Sequence, residues 1–431
     1  MTRALVISID GFAGFYWDEP ALRIPTLRRL AERGVVAPRM EAVFPTTTWP
    51  THVSLVTGVR PRIHGVVGNH ILDRATGIAQ DLTGDPVYDA AAILRVPTVY
   101  DRAHAAGRST AAVDWPCTRH AAGLDWNLPF FKDQRVFETH TAREVWQELA
   151  GLGFPMDRQG EWAQLPKRFL KDAMVADVAA HLVRGRRPDL LLLHFLCADS
   201  HQHLFGPRSP EARWAIEYID GLIGRVLAAL PAGALERDTA VFVVSDHGFL
   251  PSDREIRVNV HLRRRGLLAV DADGRIAPGA ARLIMNHGAG YVYLDGGGDR
   301  ERLAADLARE LGGLEGVAGA WPAAEYEALG LAEPAENPLA GDLVLEAAPG
   351  YCFGDEARGD ELHAAPKYRG THGQRAEHPD NAAFFLAAGA GVRTAARLPR
   401  INSRDVAPTL AAVLGIEMGP VEGRRLDEAL A

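Results

Sequence analysis

A chain of 431 residues that is 47% hydrophobic and 24% charged can bury one large core or two smaller ones, which excludes an intrinsically disordered protein. Its formal net charge of −8 argues against a polymeric nucleic-acid partner, which needs a basic groove, although bound divalent metals would reverse that sign locally. The cysteines are Cys117, Cys197 and Cys352, an odd and sparse set that suits a reducing compartment better than a disulfide framework.

The first element, Ala4 to Ile9 (ALVISI), is a short apolar run rich in β-branched residues and reads as a buried parallel strand. Asp10-Gly11 stops it, so a carboxylate stands at a strand's carboxyl end. Pro25 to Arg33 follows as a helix with proline at its start and Gly34 as its stop. The stretch FPTTTWPTHVSLVTGVRPRIHGVVGN, Phe44 to Asn69, then sets Thr48 before Trp49, Pro50 and an apolar stripe of Val53, Leu55 and Val56 that ends at Gly58. That is the grammar of a helix entrance, where free N–H groups and the positive dipole end favour an anion. Read by itself, the stretch fits turn and N-cap threonines at least as readily as a nucleophile.

Pro97 to Gly107 reads as the next helix, Ser109 to Asp114 as a strand and Trp115-Pro116-Cys117 as a turn. Lys167 to Leu182 is a helix and Leu190 to Leu196, LLLLHFL, a buried strand ending near Asp199. Ser209-Pro210-Glu211 opens an amphipathic helix bearing Trp214, Ile216, Ile219, Ile223 and Val226, and Ala240 to Val244 is the strand before Asp246-His247. Such alternation predicts a largely parallel sheet with helices on both faces and ligands at the carboxyl ends of its strands. Val258 to Tyr368 is less regular and richer in Gly, Ala and Pro. It holds one strand–helix pair, Tyr291 to Leu294 and Arg300 to Leu311, and a basic run, Arg263 to Arg265, that reads as a helix end before Gly266. Residues 258–368 are therefore expected to form an inserted cap within a core of 1–257 and 369–431, where Ala383 to Ala387 and Asp405 to Leu414 supply the last strand and helix. There is no internal repeat.

Asp199 and His203 in CADSHQHLFGP are four apart, one face of a helical turn. Asp246 and His247 are adjacent in VVSDHGF, and His372 lies in GTHGQ between glycines that let backbone and ligands approach closely. Singly, each fits a capped turn or a loop histidine. Jointly, after successive strands, they supply the Asp oxygens and His nitrogens that zinc favours when thiolates are missing.

Asp10 in ISIDGF, Thr48 in PTTTWP, Asn69 in GVVGN, Asp199 and His203 in DSHQH, Asp246 and His247 in SDHG, and His372 in GTHG follow one another in an order that resembles the alkaline phosphatase superfamily. The closest resemblance is to its type I phosphodiesterase/nucleotide pyrophosphatase family, whose last helix is similar to RDVAPTLAAVLGI. The resemblance implies an alkaline-phosphatase-like three-layer α/β/α sandwich with a mostly parallel central sheet and a small inserted cap. It implies two Zn2+ ions per chain, or other divalent metals, one held by Asp199, His203 and His372 and the other by Asp10, Asp246 and His247. Thr48 would contact the second as nucleophile, and Asn69 would hydrogen-bond a phosphoryl oxygen beside the Thr48 N–H. The implied reaction is zinc-dependent hydrolysis of phosphodiester or pyrophosphate bonds through a phosphothreonine intermediate on Thr48.

Several positions depart from the family pattern. Trp49 replaces a usual phenylalanine and reads either as a substrate-binding platform for a base or as packing at the helix entrance. Thr51 stands where many members carry asparagine. Gln202 replaces a glycine, which leaves His201 as a rival to His203. Cys117 takes the glycine place of a W-P-G turn, as a buried thiol or a pocket wall.

Sulfatases need a C/S-x-P-x-R setting that Pro116-Cys117-Thr118-Arg119 does not offer, and metal-dependent phosphoglycerate mutases use serine. The runner-up is a phosphonoacetate-hydrolase-like or phosphomonoesterase activity on the same dizinc site. A phosphonate carboxylate would need cations, for which Lys132, Arg119 and Lys367 are candidates, whereas a nucleotide would need an aromatic platform. A non-catalytic metal-binding protein would lack a ligand or the nucleophile, and neither is missing. The expected partners are small-molecule phosphodiesters, nucleotides or phosphonates, with no polymeric nucleic acid and no membrane. No signal peptide precedes Ala4 and no apolar run approaches membrane-spanning length, so the expected address is cytoplasmic.

Overall fold

Side-chain alternation sorts the central strands onto two faces. In strand Arg3–Ile9, Leu5, Ile7 and Ile9 point one way and Ala4 and Val6 the other; in Leu190–Phe195, Leu191, Leu193 and Phe195 separate likewise from Leu190 and Leu192. In the computed structural model, which describes residues 2–84, 88–272, 275–277, 281–295 and 299–431, each set has its own cover of helices. The first packs with Val175, Val178 and Ala179 of helix Arg168–Gly185 and with Ile216, Ile219 and Ile223 of Pro210–Ala228. The second packs with Leu55 and Val56 of helix Thr48–Thr57, Val99 of Val99–Ala105, and Leu410 and Leu414 of Val406–Leu414. Two apolar faces need two covers, and the expected three-layer α/β/α sandwich is the result.

Among the described residues the central sheet has 9 strands. Its order is Ala396–Arg397, Gly34–Glu41, Ala383–Gly389, Thr239–Val244, Arg3–Ile9, Leu190–Phe195, Thr110–Val113 and Trp126–Leu128, with Ile401–Asn402 also pairing Gly34–Glu41. From Thr239–Val244 to Trp126–Leu128 the strands are parallel, but Ala383–Gly389 runs antiparallel to both neighbours. Strand Gly34–Glu41 is not readable from the sequence because Pro38 interrupts it. Pro38 lies where the register shifts between Met40 opposite Ala383 and Ala37 opposite Phe385, a bulge that tolerates its missing N–H.

Register explains why the acidic residues converge. Ile9 pairs with Phe195 and Ser8 with Val244, so three strands end side by side. Asp10 follows the first, Asp246 the second, and the third turns directly into helix Cys197–Phe205, which bears Asp199 and His203. That helix has Leu196 at its N-cap, which offers no acceptor side chain. Asp172 of the neighbouring helix does the capping instead, accepting from the N–H groups of Leu196 at 2.9 Å and Cys197 at 2.8 Å.

The cap is more regular than its composition suggests. Strands Ala281–Asn286, Ala289–Leu294, Leu343–Ala347 and Val317–Pro322 form an antiparallel sheet in that order, with helix Arg300–Leu311 against it. A smaller sheet joins Leu250–Ile256 to Gly350–Phe353, His363–Ala364 and Gly370–Thr371, so residues from both sides of the expected boundaries share it. The cap rests on the Thr48 helix: Trp49 and Val53 pack with Ile284, Tyr291 and Val344.

Beneath the strand ends, Lys171 Nζ lies 2.7 Å from Asp114 Oδ1, and both side chains are fully buried. Removing one partner strands the other's charge, so Lys171→Met is expected to cost about 3–5 kcal/mol of stability. Urea unfolding checks this, with the double variant Lys171→Met/Asp114→Asn, whose asparagine suits the φ of +56° at that position, less destabilised than the single one.

Candidate metal centre and nucleophile

Three buried carboxylates and three imidazoles meet at the strand ends. Asp199 Oδ1 lies 3.1 Å from His203 Nε2 and 3.8 Å from His372 Nε2. His247 Nε2 lies 3.4 Å from Asp10 Oδ1 and 3.2 Å from Asp246 Oδ2. The rings of His247 and His372 stack with centroids 3.6 Å apart, so the two clusters adjoin. Each imidazole is oriented through Nδ1: His203 on the Gly370 carbonyl at 2.9 Å, His247 on that of Gly248 at 3.0 Å and His372 on that of Thr46 at 3.0 Å. This leaves Nε2 facing the carboxylates, the arrangement a metal-binding histidine needs.

The electrostatics call for a cation. Asp10 Oδ1, Asp199 Oδ1, Asp246 Oδ2 and His247 Nε2 are buried without a hydrogen-bond partner among the described residues. Burial, followed by the nearby charges of Asp246 and Asp199, pushes the Asp10 carboxyl well above the usual carboxylate range. Carboxylate oxygens and imidazole nitrogens in this number fit divalent metal ions. The nitrogens and oxygens group as Asp10, Asp246 and His247; as Asp199, His247 and His372; and as His203, His287 and His372, each group within 4.8 Å.

Thr48 is the first residue of its helix and not its cap; Thr47 holds the N-cap position and makes no side-chain capping bond. Of the two readings of this stretch, the capping one extends only to the backbone position of Thr47, since no threonine side chain caps the helix. Thr46 instead ties two loops together, its hydroxyl donating to the Gln374 carbonyl at 2.6 Å and accepting from Gly373 N–H at 3.1 Å. The Thr48 hydroxyl accepts from Asn69 Nδ2 at 3.4 Å, while Asn69 Oδ1 accepts from Trp49 N–H at 2.8 Å. Thr48, Asn69, Asp10, Asp199, His203 and His372 all line one cavity of about 800 Å³.

Trp49 also borders this cavity, but it is only 6% exposed and packs into the cap interface, so most of its surface serves packing. His201 faces away from Asp199: its Nδ1 meets the Cys197 carbonyl at 2.7 Å and its ring lies against Trp214. Gln202 accepts from the Tyr16 hydroxyl at 3.0 Å and donates to the Gly11 carbonyl at 2.8 Å, which fastens the Asp199 helix to the turn after Asp10. Cys117 is both buried and cavity-lining; burial pushes its thiol up, and its φ of +61° explains why a glycine suits that turn. Lys132, Arg119 and Lys367 all border the cavity, Lys132 with Nζ 2.8 Å from Asp81 Oδ2 and Arg119 with Nε 2.8 Å from Asp89 Oδ1.

Four further residues belong to the centre. His194 Nε2 lies 3.2 Å from Asp10 Oδ2, and His52 Nδ1 lies 3.7 Å from Asp246 Oδ2 while meeting the Thr48 carbonyl at 2.8 Å. Burial holds both histidines down to about 3, so they are neutral at pH 7. Arg168 places Nη1 3.7 Å from Asp199 Oδ2 and 3.2 Å from Ser200 Oγ. His287 enters from the cap. His52 and His194 sit within apolar runs that read as core, and nothing in the sequence around Arg168 or His287 marks them.

Residues 4–375 match the family described as Type I phosphodiesterase / nucleotide pyrophosphatase. An uncharacterized pyrophosphatase/phosphodiesterase of Schizosaccharomyces pombe is 31% identical over 258 residues, 58% of this chain and 45% of that protein. Human ectonucleotide pyrophosphatase/phosphodiesterase family member 1 is 26% identical over 247 residues, 57% of this chain and 23% of that protein. The chain thus spans less than half the length of these relatives. Murine ectonucleotide pyrophosphatase/phosphodiesterase 5, solved in an inactive threonine-to-alanine form with AMP, has the same fold with a TM-score of 0.74 at 19% identity, covering 100% of both chains.

Proposed function

The chain belongs to the type I phosphodiesterase/nucleotide pyrophosphatase family, and from that premise we propose that it hydrolyses small phosphodiesters or pyrophosphates with two zinc ions and Thr48 as nucleophile. The observation that carries this reading is the placement of the Thr48 hydroxyl, held by Asn69, in the cavity bordered by Asp10, Asp199, His203 and His372. Asp199, His203 and His372 would hold one ion; Asp10, Asp246 and His247 would hold the other, with the Thr48 hydroxyl against it as nucleophile rather than as a ligand the site depends on. When bound, the ions supply the positive charge that lowers the pKa of a hydroxyl and neutralises phosphoryl oxygens.

The rest of the chemistry falls to the chain. Thr48 gives up its proton to solvent, its Oγ1 attacks phosphorus, and the bond from phosphorus to the leaving alcohol or phosphate breaks, that oxygen departing as the anion or taking a proton from solvent. The threonine then carries a covalent phosphate ester. Water adds its oxygen to phosphorus, the bond to Thr48 Oγ1 breaks, a proton from the water returns to Oγ1 to restore the hydroxyl, and a phosphate monoester leaves. Asn69 fixes the first turn of the Thr48 helix through Trp49 N–H and aims its Nδ2 at the reacting oxygens. His52, neutral and bonded to the Thr48 carbonyl, holds that turn from beneath. Removing a preorganised donor of this kind costs about 10²–10³ in kcat, so Asn69→Ala is expected to lose that much in steady-state diester hydrolysis with its metal content unchanged.

A nucleotide substrate fits the aromatic edge of Trp49 and the Phe130 ring that border the cavity. The phosphonate reading is favoured by Arg168, which places a guanidinium beside Asp199, and by Lys132. A screen of bis(p-nitrophenyl) phosphate, p-nitrophenyl phosphate, dinucleoside polyphosphates and phosphonoacetate, with zinc-loaded and chelated protein, tests both. Preference for diesters or pyrophosphates supports the first reading, preference for phosphonoacetate the second, and no metal-dependent turnover on any of them refutes both.

A further inference from the structure

We propose that His287, carried by the cap, is an additional protein ligand at the metal position of Asp199, His203 and His372; the inference rests on the two-ion reading above. One nitrogen each of His203, His287 and His372 lies within 4.8 Å of the other two, a donor triad that the strand-end motifs do not contain. The His287 ring lies 4.6 Å from that of His203 and 4.5 Å from that of His372, centroid to centroid. The ring borders the cavity and, among the described residues, its two imidazole nitrogens make no hydrogen bond, although the His287 N–H meets Met285 Sδ at 3.5 Å.

The backbone that presents this ring is fixed from both sides. His287 sits in the turn between strands Ala281–Asn286 and Ala289–Leu294. On one side, the Asn286 side chain accepts from the N–H groups of Asn69 at 2.7 Å and His70 at 2.9 Å. On the other, Gly288 N–H donates to the His372 carbonyl at 2.6 Å. A Cβ on Gly288 would lie 2.1 Å from the Gln374 side chain, so only glycine lets the turn come this close to the His372 loop. His287 itself has a φ of +60°, a left-handed conformation that glycine or asparagine adopts with less strain. A histidine held there by its surroundings is contributing its imidazole, and strain of this kind gathers at functional sites. The cap then supplies a donor to a centre whose other ligands come from the core, and seating of the cap and filling of that position become coupled.

His287→Gly and His287→Asn both suit the left-handed backbone and remove the imidazole. Zinc titration of the full chain, together with the absorption bands of the cobalt-substituted protein, reads each position separately. Wild type is expected to take two equivalents. Each variant should retain one with wild-type affinity, which also reports an intact fold, and bind the second on the order of 100-fold more weakly, with altered cobalt bands. Two equivalents at wild-type affinity with unaltered bands in both variants would overturn the inference while leaving the two-ion reading standing. Equal loss of both equivalents would also overturn it, by making the residue a fold determinant. Fewer than two equivalents in wild type would remove the reading and the inference together.

Discussion

Thr48→Ala is expected to lose diester hydrolysis by about three orders of magnitude or more while keeping its full complement of metal. The hydroxyl takes no part in capping its helix, so its removal leaves the helix start and the Asn69–Trp49 bond in place. Alanine is also the best helix former, and the first turn loses nothing by the change. What disappears is the oxygen that attacks phosphorus. Steady-state kinetics beside elemental analysis separate the outcomes: a dead variant that holds its zinc places Thr48 at the chemistry, whereas a variant that has shed zinc makes Thr48 chiefly a support for the centre.

Chelation is expected to abolish turnover and to destabilise the fold in the same step. Asp10, Asp199 and Asp246 are buried around a small volume, and among the described residues Asp10 Oδ1, Asp199 Oδ1, Asp246 Oδ2, His194 Nε2 and His247 Nε2 have no hydrogen-bond partner. A cation that binds only the folded chain stabilises it by about 4 kcal/mol when its free concentration is 1,000 times its dissociation constant. Calorimetry with and without chelator should show a thermal midpoint several degrees lower in the stripped protein, restored together with activity by zinc. An unchanged midpoint would mean that the buried carboxylates are satisfied without metal.

The parts of this centre that the sequence exposes are those that share a local grammar. Asp10, Asp199 and Asp246 each follow a short apolar strand, and parallel pairing brings such ends together whatever lies between them. Asp199 and His203 could be paired by helical spacing, and the nine-residue helix places both toward His372 while His201 turns to Trp214. Other features depend on distant contacts and leave no local trace. Strand Gly34–Glu41 survives its proline through a bulge against Ala383–Gly389, and Trp126–Leu128 is too short to show alternation. The cap strands are brief and broken by Gly and Pro, so the turn that delivers His287 to His203 and His372 is visible only once Asn286 and Gly288 have found Asn69 and the His372 loop. His52 and His194 reach Asp246 and Asp10 from positions that periodicity assigns to the core.

With Thr48 as nucleophile, that residue is expected to become covalently phosphorylated during turnover. Acid quenching of zinc-loaded protein in its first turnover of bis(p-nitrophenyl) phosphate, followed by peptide mass spectrometry, tests it most directly. A peptide spanning Thr48 is expected to carry the p-nitrophenyl phosphoryl group on that residue, formed within the burst of p-nitrophenol. A full burst with Thr48 unmodified would contradict it.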